Sequence, residues 1–559
     1  MKKIILSIFL SFFFTHLFAQ HAASQIYTRY DSLRGTLSPL RSCYDVYFYD
    51  LNLRVNPAEQ HIKGYNTIRY RTTEEFTKIQ VDLFSNMKIN RIVQHNQDLA
   101  FERDSNAVFI SFPQTQPKGI LDSITIFYEG QPIVAANPPW DGGFTWDKDE
   151  TGKDWIGVSC EGIGASLWWP NKDHLSEEPD SMRISCEVPS DLMCVANGNL
   201  QNTTKLNDGF TRYNWLVSYP INNYNVSLNI ADYAHFSDTY TAKDGEKLAL
   251  DYYVLRDNIE DAKSHFAQVK PMLTCYEQLF GKYPFWKDGY ALVETPYLGM
   301  EHQSAIAYGN NYLPGYMGMD LSGTGIGLTF DYLIIHESGH EYWGNSVSAQ
   351  DHADMWIHES FCTYTEGLYI ECMQNKERAA QYIVGLRQSI ENKEPIIAPL
   401  HVNANGSGDM YMKGANVLHT LRNAMNNDKL WFELIYGIAQ EFKIKNTNTE
   451  EIVQYINQKT GKNYTSFFDQ YLRHANIPTL QYAIKGKGKK AVVQYRWLAD
   501  VKEFTMPVKV SFGKGVEKMI YPTTQWQTLS ESGNVGSFTV DTNSFYIHTQ
   551  KIDAEKIKL

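Results

Sequence analysis

A chain of 559 residues has room for roughly two to four domains, each with its own core. Its 43% hydrophobic and 14% aromatic content exclude a disordered protein, and a formal net charge of −12 argues against nucleic acid as a partner.

The N-terminus reads as an address. Lys2-Lys3 precede an apolar run from Ile4 to Phe14, and Leu17-Phe18-Ala19 offers a small residue before Gln20. The pattern predicts a secretory signal over residues 1–19 and places the protein in the periplasm or outside the cell. The apolar run is too short to span a membrane comfortably, so no integral span is expected.

From about Cys43 to Phe236 the chain reads as strands. Tyr47, Tyr49, Leu51, Leu53 and Val55 alternate with more polar neighbours, and 68–70 and 124–128 are similar. Between 237 and 476 helical periodicity takes over, at 259–280, 328–347, 355–373, 414–426 and 450–472. Gly344-Asn345 is a plausible stop for the second of these. After Ile477-Pro478 short strands return, at 491–495 and 537–540, and Lys485-Gly486-Lys487-Gly488-Lys489-Lys490 reads as a solvated hairpin turn. The parse is an α+β multidomain protein: a β domain over 20–236, a mostly helical domain over 237–476 and a small β domain over 477–559.

The second helical stretch carries His336-Glu337-Ser338-Gly339-His340. Residues four apart share a helix face, so the two histidines can grip one ion with Glu337 beside it. That is the zinc-peptidase reading of H-E-x-x-H. Glu359, in the first two turns of the next helical stretch, supplies the third protein ligand that an open catalytic zinc site still needs. One Zn2+ per chain is expected on His336, His340 and Glu359.

Seven cysteines show no C-x-x-C pair. An oxidising compartment permits disulfides, and Cys186 with Cys194 could bridge two neighbouring strands across Pro189-Ser190-Asp191, although buried thiols fit as well.

H-E-x-x-H, eighteen residues and a glutamate resemble the gluzincin aminopeptidases, the aminopeptidase N and leukotriene-hydrolase family. Three further segments match in order. Leu298-Gly299-Met300-Glu301-His302 looks like the G-x-M-E-N exopeptidase motif, and Met410-Tyr411-Met412-Lys413-Gly414 resembles the Tyr-x-Lys-Gly segment. Glu161, ahead of Trp168-Trp169-Pro170, matches a carboxylate that precedes an aromatic-Pro motif. The resemblance implies an N-terminal β-sandwich or saddle, a thermolysin-like catalytic domain and a small C-terminal β-sandwich. Leu298, His302, Asn171 and Ser159 depart from the family pattern at positions that line or flank its cleft.

The resemblance also assigns roles. Glu337 acts as general base, and Tyr411 shares the oxyanion with the metal. Without the match Tyr411 would read as a packed core tyrosine. Glu161 and Glu301, with Gly299 and Met300 beside them, form the substrate-binding set; paired carboxylates hold a free α-amine and fix the scissile bond one residue in. Asp354 could orient a ligand histidine or cap the helix that follows it.

The reading is a zinc-dependent aminopeptidase acting on peptides. A same-fold hydrolase of non-peptide substrates such as epoxides, or a non-catalytic binding protein, are the alternatives. Only about eighty residues follow Ile477, so the large helical domain that many relatives append is expected to be absent. The cleft should then be more open, or be covered by a partner subunit, a homodimer being one such arrangement.

Overall fold

A computed structural model describes residues 27–485, 492–512, 516–530 and 537–557. The expected signal segment and residues 486–490 of the lysine–glycine run lie outside them.

Strand Tyr44–Asn56 shows why the N-terminal part is a sheet. Tyr49, Leu51, Leu53 and Val55 are buried, while Asn52, Arg54 and Asn56 on the other face are only partly covered. This period of two directs one face at a core. The strand pairs antiparallel with His61–Thr72 and parallel with Ser181–Pro189, at the centre of an eight-stranded sheet. A four-stranded sheet accompanies it, and its strand Asp154–Ser159 leads directly to Glu161.

A five-stranded sheet follows, in the order Tyr233–Thr241, Lys247–Leu255, Tyr290–Glu294, Ile306–Tyr308, Gly299–Met300. Alternation here serves two cores at once. Leu248, Leu250, Tyr252, Val254 and Leu292 face the helices. Tyr253, Leu255, Ala291, Val293, Met300 and Ala307 face the N-terminal core. Each fully buried leucine, valine or methionine among them contributes about 1.5–3 kcal/mol, so the sheet is a shared wall rather than a loose boundary. The division expected at 236/237 falls inside its first strand.

Helix Tyr332–His340 is shorter than the 328–347 expected from periodicity. Phe330 is extended, and Asp331 caps the helix by accepting from Ile334 N at 3.1 Å. After His340 the chain turns, and Gly344, at φ 129°, carries it into strand Val347–Ala349. Phe330, Tyr342 and Trp343 are core residues off the helix, which is why their spacing misled. Helix Trp356–Met373 agrees with expectation and is buried nearly all round, as an interior helix must be. The 259–280 stretch divides into Ile259–His265 and Val269–Phe280, and the 450–472 stretch into Thr449–Thr460 and Thr465–Leu472. Gly461, left-handed at φ 66°, ends the first half of the latter.

The disulfide joins Cys275 to Cys372, with Cα atoms 6.1 Å apart, and ties helix Val269–Phe280 to the end of Trp356–Met373. Cys186 and Cys194 are free and buried. Their strands belong to two different sheets, and the two thiols face each other unbridged. Beyond Thr479, a four-stranded and a three-stranded sheet share the helical core through Leu480, Val493, Trp497 and Phe545. Among the described residues no helix is long and apolar enough to cross a membrane.

Candidate active site

The four-residue spacing on Tyr332–His340 sets Nε2 of His336 and Nε2 of His340 3.2 Å apart. Glu359, in the first turn of Trp356–Met373, brings Oε2 to 3.6 and 3.5 Å from those two nitrogens. The opposite ring atoms are engaged. His336 Nδ1 lies 2.8 Å from Glu366 Oε1, and His340 Nδ1 lies 2.9 Å from the Trp343 carbonyl. With Nδ1 donating in each ring, both Nε2 lone pairs face each other and a carboxylate oxygen that has no hydrogen-bond partner. Three buried acceptors converging without a donor would be costly unless a cation joins them. Their spacing is that of tetrahedral zinc ligands, roughly 3.3–3.5 Å for bonds of about 2.0–2.1 Å. The site therefore fits zinc. Burial lowers the His336 pKa, but Glu359 and Glu366 more than offset it and hold the ring at about 9, so this pocket favours positive charge.

Glu366 was not foreseen. It sits seven residues after Glu359, on the same face of the helix two turns on, and its other oxygen accepts from Tyr382 at 2.6 Å. A glutamate at that spacing on a helix otherwise buried is the signal that could have found it. Asp354, the residue considered for this task, instead accepts from the Thr449 hydroxyl at 2.5 Å and touches neither histidine. It does not provide the side-chain cap of the following helix either.

Glu337 is buried beside the cradle, and burial pushes its carboxyl up to about 7, with Glu301 and Glu359 adding and the histidines opposing. Ligand-type oxygens of Glu301 and Glu337 and a nitrogen of His340 lie within 4.8 Å of one another. The Tyr411 ring stacks 6.3 Å from that of His336 at 23°. Burial raises its phenol well above the ordinary value, and Glu359, Glu161, Glu301 and Glu337 add to this, so Tyr411 keeps its proton and is a donor. Its segment is fixed from two sides. Ser360 donates to the Met410 carbonyl at 2.7 Å, and Lys413 donates to that of Ala475 at 2.8 Å. Gly414 lets helix Asp409–Met425 lie on Ser360, whose hydroxyl a Cβ would overlap.

Glu161 follows strand Asp154–Ser159 on a turn built by Gly162 and Gly164, both at positive φ, and Arg34 holds the Gly162 carbonyl and Asn403. Glu301 follows the edge strand Gly299–Met300. Gly299 packs on Leu333 of the metal helix, where a Cβ would overlap, and Met300 is buried in the N-terminal core; both are packed residues in the structure. Burial raises the pKa of Glu161 and of Glu301, and the nearness of Glu301 raises Glu161 further. Two such carboxylates are relieved by a cation. Of the departures from the family pattern, His302, Ser159 and Asn171 are fully buried. They are not cleft surface, and only Leu298 is partly exposed.

A buried two-histidine, one-glutamate cradle with a free glutamate beside it defines a zinc metallopeptidase-type centre of the gluzincin kind. Residues 265–471 match the family model described as Peptidase family M1 domain. Endoplasmic reticulum aminopeptidase 1 of Mus musculus is 22% identical over 272 residues, 46% of this chain and 28% of the relative. Aminopeptidase N of Escherichia coli (strain K12) is 26% identical over 270 residues, 44% of this chain and 30% of the relative. Aminopeptidase 2 of Candida albicans is 20% identical over 477 residues, 81% and 50% of the two chains. The chain thus spans half or less of the length of these curated relatives. The crystal structure of an M1 zinc metallopeptidase from Deinococcus radiodurans shares the fold at a TM-score of 0.65 and 20% identity, covering 78% of this chain and 94% of that one.

Proposed function

We propose that the protein is a zinc-dependent aminopeptidase that removes N-terminal residues from peptides. The observation that supports this reading is that ligand-type atoms of Glu301, Glu337 and the cradle histidine His340 lie within 4.8 Å of one another, with Glu301 near enough to Glu161 to raise its carboxyl. When bound, zinc would polarise the scissile carbonyl and lower the pKa of a water. Glu161 and Glu301 bind the substrate ammonium by charge-assisted hydrogen bonds, which sets the bond to be cut one residue from the amino end. Glu337 takes the proton of the attacking water and returns it to the leaving amine. Tyr411, protonated, donates to the developing oxyanion.

The division into a domain over 20–236, a thermolysin-like domain over 237–476 and a C-terminal β-sandwich over 477–559 belongs to the same proposal. So does export to the periplasm or exterior, supported by the Lys2-Lys3 and apolar run and by the Cys275–Cys372 disulfide, which needs an oxidising compartment. A panel of aminoacyl chromogenic amides, with and without a chelator and with N-acetylated counterparts, tests the activity. Cleavage only of free-amine substrates, abolished by the chelator, is expected; equal cleavage of blocked substrates would overturn the exopeptidase reading.

A further inference from the structure

His358 and Glu301 stand at the two ends of a buried chain of donors. The Ala349 N–H donates to His358 Nε2 at 2.8 Å, so that nitrogen carries the lone pair and the neutral ring bears its proton on Nδ1. Nδ1 lies 3.5 Å from the Tyr224 oxygen, and the Tyr224 hydroxyl donates to Glu301 Oε1 at 3.0 Å. The direction is set throughout: an ionised carboxylate only accepts, and the single tyrosine proton is committed to it. All three residues are buried. The main chain at the Glu301 end is held independently, because Asn345 donates to the Glu301 carbonyl at 2.7 Å and accepts from Asn225, the neighbour of Tyr224, at 2.7 Å. Gly344 brings the backbone against the rings of His340 and His358, leaving a Cβ only 3.2–3.3 Å from either.

His358 immediately precedes the metal ligand Glu359 on one helix. A single turn therefore bears on both halves of the site, directly through Glu359 and, by way of His358 and Tyr224, through Glu301. We propose that His358 and Tyr224 are positioning residues that lock the Glu301 carboxylate in the rotamer that receives a substrate ammonium, leaving Oε2 for the amine while Oε1 is held by Tyr224. The proposal rests on the aminopeptidase reading above. Without the tyrosine proton, Glu301 faces the like charge of Glu161 with only its own backbone N–H to hold its angle, and the cost falls on amine recognition rather than on the metal.

The test uses the full chain loaded with zinc and the variants Tyr224→Phe, His358→Leu and His358→Asn. Two competitive inhibitors are compared, leucinamide and its des-amino analogue 4-methylpentanamide, together with KM and kcat for a leucine chromogenic amide and zinc content. Tyr224→Phe and His358→Leu should each weaken leucinamide and raise KM about ten-fold, leaving the des-amino analogue and zinc content unchanged. His358→Asn, whose amide N–H can stand in for Nδ1–H, should recover to within about three-fold of wild type. Equal weakening of both inhibitors, or loss of zinc, would mark a packing defect and overturn the proposal. A wild-type enzyme that discriminates the two inhibitors while Tyr224→Phe matches it overturns the relay alone. A wild-type enzyme that does not discriminate them overturns the amine-binding reading, and the relay with it.

Discussion

Glu366 accepts from His336 Nδ1 at 2.8 Å and from the Tyr382 hydroxyl at 2.6 Å, so a carboxylate two helical turns beyond Glu359 sets the tautomer of a zinc ligand. Such partners raise ligand basicity and fix the ring's tautomer and orientation. Glu366→Ala should lower zinc affinity about 10–100-fold, read by competition with a chromogenic chelator. Unchanged affinity would mean that Tyr332, 3.2 Å from the same nitrogen, suffices by itself.

That relationship marks where the sequence stops being readable. His336, His340 and Glu359 were legible because helix geometry and the ligand needs of one metal ion fix their spacing, and the structure brings them together. Strand Tyr44–Asn56 was legible because its alternation is written in side chains. The extent of the metal helix was not: Phe330, Tyr342 and Trp343 keep helical spacing while serving the core from outside the helix. Tyr224 and Glu366 were missed for a related reason. Each acts through a contact distant in sequence; nothing local marks Tyr224, and Glu366 is marked only by its spacing from Glu359. The disulfide was missed because 97 residues separate its ends and only the packing of two helices brings them close.

Glu337 tests the chemistry separately from the metal. It makes no contribution to the cradle as a ligand, so Glu337→Gln should keep zinc while lowering kcat by at least about 10²-fold. Metal analysis alongside the rate decides the matter: a variant that loses zinc and activity together would show that Glu337 acts on the site's integrity instead.

Gly414 and Ser360 form the contact that seats Tyr411. A methyl on Gly414 would overlap the Ser360 hydroxyl, which itself bonds to the Met410 carbonyl. Gly414→Ala should cost about 1–3 kcal/mol by overpacking, measured as a fall in the urea midpoint. Removing the obstructing oxygen should restore part of it, so Ser360→Ala combined with Gly414→Ala is expected to be more stable than the sum of the two single changes. Strict additivity would argue that the two helices yield elsewhere.

His302 gives a pH dependence with a definite sign. It is fully buried, neither ring nitrogen has a partner, and burial pushes its pKa down to about 3. An unfolded imidazole titrates near about 6.5. Between the two values the unfolded chain binds a proton that the folded chain refuses, so stability is complete above about pH 6.5 and falls as pH drops towards 3, by up to about 1.4 kcal/mol per unit. His302→Gln removes this titration. From about pH 7 to about pH 5 its urea stability should fall by roughly 2 kcal/mol less than that of the wild type. Parallel slopes for the two proteins would show that His302 accepts its proton while folded.

The Cys275–Cys372 bond closes a long loop at the far end of the helix that carries the metal ligand Glu359 in its first turn. Cys372 is exposed, so a reductant can reach it. A cross-link of this span restricts the unfolded chain strongly, and its loss should cost about 2–5 kcal/mol. Glu359 lies thirteen residues away along the same helix, about 20 Å at 1.5 Å per residue. Stability and activity should therefore separate. Cys275→Ser with Cys372→Ser is expected to lower Tm clearly while zinc affinity and kcat well below the new Tm stay within about two-fold of wild type, because Glu359 is held against His336 and His340 on the packed helix Tyr332–His340. A parallel loss of zinc affinity would instead make the disulfide part of the metal site's support, and an unchanged Tm would show that helix packing alone already holds the two ends together.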